Sequence, residues 1–244
     1  FEGAIATLRK SIDMGADPAL CNMMLGLALH EQGDVEGALA AFRKAETADP
    51  WILDKAPEYR LMAGIACHKG GDIQAAKEHF RKAIALDSKY EEAYWRLGAI
   101  LSDEGNLDEA AVMLGKAVEL NPKNGMACVM LGMVFGKQGK PDESIAAFQK
   151  AIEVDSSDFM AYMGMGFALN DKGDTEKAID ALRKAVAIDP RLPQASQALI
   201  VFLCDSKKYD EAWTEVKRGR GLGMEPPAGL LDRRDRLVEV LVLS

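Results

Sequence analysis

Residues 91–124 read EEAYWRLGAILSDEGNLDEAAVMLGKAVELNPKN, and this stretch decides the fold. Tyr94, Leu97, Gly98 and Leu101 recur at the i, i+3, i+4, i+7 spacing that brings side chains to one face of a helix. Ala110, Leu114 and Ala117 do the same further on. Gly105 separates the two runs and suits a helix end that needs positive φ. Asn106 follows it and is expected to cap the second helix through its side-chain oxygen. Pro122 closes the unit. Gly98 and Ala110 are small where the two helices must approach closely. One such pair cannot bury its apolar face alone, so the unit requires neighbours.

The neighbours are found by sliding the frame along the chain. Residues 19–52 carry Leu25-Gly26, Ala38, Phe42, Ala45 and Pro50. Residues 57–90 carry Ala63-Gly64, Ala76, Phe80 and Ala83. Residues 125–158 carry Leu131-Gly132, Phe148 and Ala151, with Ser144 in the first small place. Residues 159–192 carry Met165-Gly166, Ala178, Leu182, Ala185 and Pro190. The turns also match: Gly33, Gly71, Gly105, Gly139 and Gly173 share one position.

This pattern resembles the tetratricopeptide repeat (TPR), with its W-x2-L-G-x2-Y, A-x3-F-x2-A and P signature. The resemblance covers nearly the whole chain. It implies an all-α, right-handed superhelical solenoid of antiparallel helix pairs, read as a single array over residues 1–244. Residues 1–18 read as the second helix of a truncated repeat, with the native array extending upstream. Residues 193–226 read as a degenerate repeat, in which Ile200 replaces the small glycine and Lys207 the turn glycine. Residues 227–244 read as a capping helix, with Leu230, Leu231, Leu237, Val238 and Leu241 on its apolar face.

The register breaks once. Gly26 and Gly64 are 38 residues apart, whereas Gly64 and Gly98 are 34 apart. The extra residues are Leu53-Asp54-Lys55-Ala56. With Asp54 as an early cap, the first helix of the second repeat is expected to be about one turn longer.

Composition narrows the function. The net charge is −8 and there is no basic stripe, which argues against sequence-independent nucleic-acid binding. Cys21, Cys67, Cys128 and Cys204 lie far apart without CxxC spacing. They read as small buried residues in a reducing, cytoplasmic setting rather than as a disulfide framework. No apolar run is long enough to span a bilayer, and membrane contact is not evident. His30 and His68 occupy equivalent places, but no third or fourth ligand accompanies them, so no metal is expected. His79 lies on a second helix and is read as exposed. No nucleophile–base pair or phosphate loop stands out, so no catalytic residue and no cofactor is assigned.

What the resemblance implies is binding of peptides or proteins in a concave groove lined by the first helices. Its fifth and ninth places fall on Met23, Leu27, Leu61, Ile65, Trp95, Ala99, Val129, Met133, Met163 and Phe167. All are apolar. All but Ala99 are taken as candidate partner-binding residues. Nine of the twelve methionines (23, 24, 62, 126, 130, 133, 160, 163 and 165) lie in these helices. Met moulds to varied apolar surfaces, so an apolar or amphipathic partner segment is expected. The plain alternative is that these side chains are helix-packing core. Two other readings stand beside the scaffold: a substrate-recruiting arm of a larger enzyme such as a glycosyltransferase, and self-association through the apolar tail 237–243.

Overall fold

The computed structural model describes residues 2–225. They contain thirteen α-helices and one 3-10 turn. The helices are α1 (Glu2–Asp13), α2 (Pro18–Gln32), α3 (Val35–Ala48), α4 (Pro57–Lys69), α5 (Ile73–Leu86), α6 (Glu91–Asp103) and α7 (Leu107–Leu120), then α8 (Gly125–Lys137), α9 (Pro141–Val154), α10 (Phe159–Asp171), α11 (Thr175–Ile188), α12 (Pro193–Asp205) and α13 (Tyr209–Gly221). They fall into two compact units, Phe1–Asn121 and Pro122–Ser244. In each, consecutive helices pair through short turns, α2 with α3 and so on to α12 with α13. The capping helix expected over 227–244, and the tail within it, lie outside the described residues.

In the first unit the core runs through Ile5, Leu25, Leu29, Phe42, Ile52 and Leu53, all buried. In the second it runs through Ile179, Leu182, Leu199 and Leu203. Close approach explains the small residues of the pattern. A Cβ on Gly98 would stand 2.7 Å from Leu114 Cγ, so α6 and α7 pack at this distance only with glycine there. Ser144 is fully buried, and its hydroxyl donates to the Gly132 carbonyl at 2.7 Å, which satisfies the one polar group that the small position carries. All four cysteines are free and buried, and burial pushes the Cys67 thiol up to about 11.

The turn glycines take the left-handed conformation, with Gly105 at φ 81°. The degenerate repeat keeps that conformation without the glycine: Lys207 has φ 60° and is the sole non-glycine residue with positive φ among those described. A left-handed L-residue costs about 1–2 kcal/mol, partly offset by the larger entropy loss of glycine on folding. Lys207→Gly is therefore expected to stabilise the chain by about 0.5–1 kcal/mol, read as a raised urea midpoint; an unchanged or lower midpoint would count against this.

Three local expectations are corrected. Asn106 does not cap α7. Its amide nitrogen donates to Glu104 at 3.5 Å instead, and Glu104 also holds the nearly buried Lys77 at 2.7 Å. Asp34 and Asp72, at the equivalent places, do cap, each accepting from a backbone N–H of the following helix. The inserted residues do not lengthen α4. They form a separate 3-10 turn, Ile52–Lys55, and α4 starts at Pro57. Ala56 is extended (φ −158°, ψ 145°), as the residue before a proline is steered to be, and this breaks the helix in two.

The third correction concerns His79, which is buried rather than exposed. It belongs to a cluster that the insert completes. Arg60 of α4 is 1% exposed. Its Nε donates to Asp54 Oδ1 of the turn and its Nη1 to Glu46 Oε1 of α3, each at 2.5 Å. Its Nη2 donates to the Pro50 carbonyl at 3.4 Å. Burial pushes the guanidinium pKa down, but the hydrogen bonds it donates to the two carboxylates, and their charges, outweigh this and leave the pKa raised. Of the insert, Leu53 is thus buried and Asp54 is tied to Arg60, while Trp51 beside them stays 74% exposed.

Candidate apolar docking site

The nine groove positions separate by burial. Met23, Leu61, Ile65 and Val129 are 6% exposed or less. These four fill space between helices rather than standing at the surface. Leu27 and Trp95 are half-buried. The flat face of Trp95 is covered by the Arg96 guanidinium at 4.5 Å, which Glu92 holds in place through bonds of 2.9 and 2.6 Å. The first unit therefore brings no exposed cluster of these residues together. Its cavity of about 470 Å³ lies elsewhere, among Arg9, Ile12, Leu25, Leu29 and Lys44.

The second unit does bring them together. Met133 of α8 is half-exposed, Phe167 of α10 is 42% exposed, and Met163 lies between them, half-buried. With Met160, Gly132, Gly136, Gly164 and Ala168 they line a cavity of about 350 Å³ whose floor is Phe148 of α9. Lys137 and Asp171, the last residues of α8 and α10, complete the lining, as does Ser144. Phe167 is steadied by an edge-to-face contact with Phe202, centroids 6.0 Å apart at 85°.

The cavity exists because two side chains are missing. In the sixth place the other full repeats carry Met24, Met62, Arg96 and Met130; here it is Gly164. In the twelfth they carry His30, His68, Ser102 and Asn170; here it is Gly136. A Cβ on Gly164 would stand 2.3 Å from Phe148 Cζ, so that glycine is what lets the ring reach the cavity floor. A Cβ on Gly136 would meet only Ser144 Oγ, at 3.5 Å, so that glycine leaves open space above the floor. Gly136, Gly164 and Met160 were not among the candidate residues. The signal for the glycines was present, as a departure from the repeat at places where side chains normally stand.

Chemically the site is a smooth apolar hollow. No hydrogen-bonded nucleophile and base occur in it. Among the described residues no group of three or more His, Cys, Asp or Glu is placed to hold a metal ion. His30 is half-buried and His68 exposed, which separates their environments. Burial and then Lys69 push the His30 imidazole below its usual pKa. Among the described residues no helix is long and apolar enough to cross a membrane.

These features define a helical-repeat protein with an open apolar hollow on its surface. Two family models described as Tetratricopeptide repeat match it, one over residues 1–50 and 129–193 and the other over 68–124, together more than half of the chain. The chain belongs to the tetratricopeptide repeat family, and its fold is the all-α solenoid class of that family. It is similar to the crystal structure of MamA, at 28% identity and TM-score 0.64, covering 72% of this chain and 93% of that one. It is also similar to YrrB, described as "a TPR protein with an unusual peptide-binding site", at 26% identity and TM-score 0.67, covering 77% and 95%. A tetratricopeptide repeat protein from Parabacteroides merdae shares the fold alone, at 14% identity and TM-score 0.69 over 92% and 87% of the two chains. No curated protein matches the sequence significantly. The chain is a TPR-type protein-interaction scaffold, of a family that is in general non-catalytic and binds protein or peptide partners.

Proposed function

We propose that the chain holds an apolar or amphipathic segment of a partner protein on the face formed by α8 and α10. The cavity over Phe148 is the anchor. The single observation that carries this reading is the cavity itself, about 350 Å³ and open between Met133, Met160 and Phe167. It has room for two large side chains one helical turn apart, such as an amphipathic helix presents. Covering the exposed parts of these three residues removes on the order of 200 Å² of apolar surface, worth about 5 kcal/mol before the cost of ordering the partner. The thioethers adapt to either aliphatic or aromatic anchors. The similarity to YrrB supports a peptide as ligand.

A displayed library of helical peptides tests the reading. Selection on the full chain is expected to enrich pairs of bulky apolar residues spaced i, i+3 or i, i+4. Gly136→Leu fills the hollow from a place where a Cβ meets no backbone, and is expected to weaken the selected peptides at least about tenfold, or 1.4 kcal/mol. Met133→Glu with Phe167→Glu is expected to weaken them more. Enrichment of peptides that bind Gly136→Leu and the double variant as well as the natural chain would refute the site. Val129 is not a suitable target: a carboxylate there would be buried without a partner, and loss of binding would report unfolding.

A further inference from the structure

We propose that His79 makes the joint between the first two full helix pairs sensitive to protons in the mildly acidic range. The joint is where the 3-10 turn touches α2, α3, α4 and α5 at once. His79 projects from α5 into it. Its Nδ1 lies 3.4 Å from Arg60 Nη1, and its Nε2 lies 4.0 Å from Glu46 Oε2.

That geometry selects one protonation state. Arginine has donors only, so an imidazole nitrogen facing it must accept. Nδ1 therefore carries the lone pair, and the ring's single hydrogen sits on Nε2, toward Glu46. Adding a proton to Nδ1 would set an N–H against an N–H and a second cation against Arg60. The Glu46 carboxylate cannot simply turn to relieve this, because Oε1 is held by Arg60. The charged groups facing His79 are Glu46 from α3, Arg60 from α4, with Asp54 of the turn bound behind it, and Glu78 and Lys82 from α5 itself. Burial disfavours the imidazolium, Glu46 favours it and Arg60 opposes it; the outcome is a pKa below 6.5.

A histidine with a lowered folded-state pKa binds fewer protons folded than unfolded. Its contribution to stability is complete above pH 6.5 and is lost as the pH falls from there toward the folded-state value. Once the pH reaches that folded-state value, a proton on Nδ1 leaves the cluster to strain or open. Opening would free α4 and α5 from α3 at the point where the insert ties them.

The test uses the whole chain. Nitrogen-15 NMR of the imidazole at pH 7.5 is expected to show the Nε2–H tautomer, and titration a midpoint below 6.5. Between pH 7.5 and 5.5 the melting temperature of the natural chain is expected to fall by at least about 2 °C more than that of His79→Gln, whose amide accepts from Arg60 at either pH. A midpoint at or above 6.5, the other tautomer, or equal losses in the two chains would overturn the proposal. The NMR titration is read on the natural chain and decides the matter even where His79→Gln fails to fold.

Discussion

Arg60→Met is expected to destabilise the first unit by about 3 kcal/mol, because it leaves two carboxylates facing each other with no cation between them. Arg60 side-chain exposure is 1%, while Glu46 and Asp54 retain 29% and 23%. The carboxylates thus keep some water, which places the cost at the low end of the range for breaking a buried ion pair. Methionine matches the stem of arginine in length and polarity, so little packing is lost with the charge. What is lost is the fork that binds Asp54, Glu46 and the Pro50 carbonyl together.

The size of the effect is separable from its cause. Adding Glu46→Gln and Asp54→Asn to Arg60→Met removes both orphaned charges, and is expected to restore most of the stability. Arg60→Lys keeps the charge but offers a compact ammonium where a planar fork bridges three elements, so it is expected to fall between the two. Urea unfolding of the full chain, with hydrogen exchange resolved over α3 to α5, measures all three. If Arg60→Met unfolds at the natural midpoint, or if the triple variant is worse than the single one, the cluster does not hold the joint.

This cluster also marks where sequence pattern stops being informative. The repeats were legible because periodicity and small residues are local: Gly98 opposite Leu114 and positive φ at Gly105 follow from a few neighbours in the chain. The insert was visible as a count of four residues, but its consequence depended on Arg60, Glu46 and His79, on three different helices. A surface position and a buried one look alike for His79 when its partners lie 19 and 33 places away in sequence. The burial of the groove positions was illegible in part for a related reason. The fifth and ninth places of a first helix are buried in some repeats and exposed in others, and the residue type alone does not say which. Val129 and Met133 are one helical turn apart on α8, yet the first is 2% exposed and the second 50%.

Phe148→Ala is expected to cost about 4 kcal/mol, in the range for deleting a buried phenylalanine. The ring is 3% exposed and fits between α8 and α10 because both offer glycine: Cβ atoms on Gly132 and Gly164 would stand 2.9 Å and 2.3 Å from it. No side chain can swing in from those positions to fill the void, so the cavity term is large. The same fit makes a prediction of sign. Gly164→Ala alone forces a methyl against the ring and is expected to destabilise by about 1–3 kcal/mol. In the Phe148→Ala background that methyl occupies the emptied space, and the higher helix propensity of alanine over glycine, worth about 1 kcal/mol, adds to it. Gly164→Ala should then be stabilising. A double-mutant cycle by urea unfolding reads this directly, with a coupling of about 2 kcal/mol or more between residues in contact. Additive effects would mean that ring and glycine are not opposed, and the floor of the proposed docking cavity would have to be redrawn.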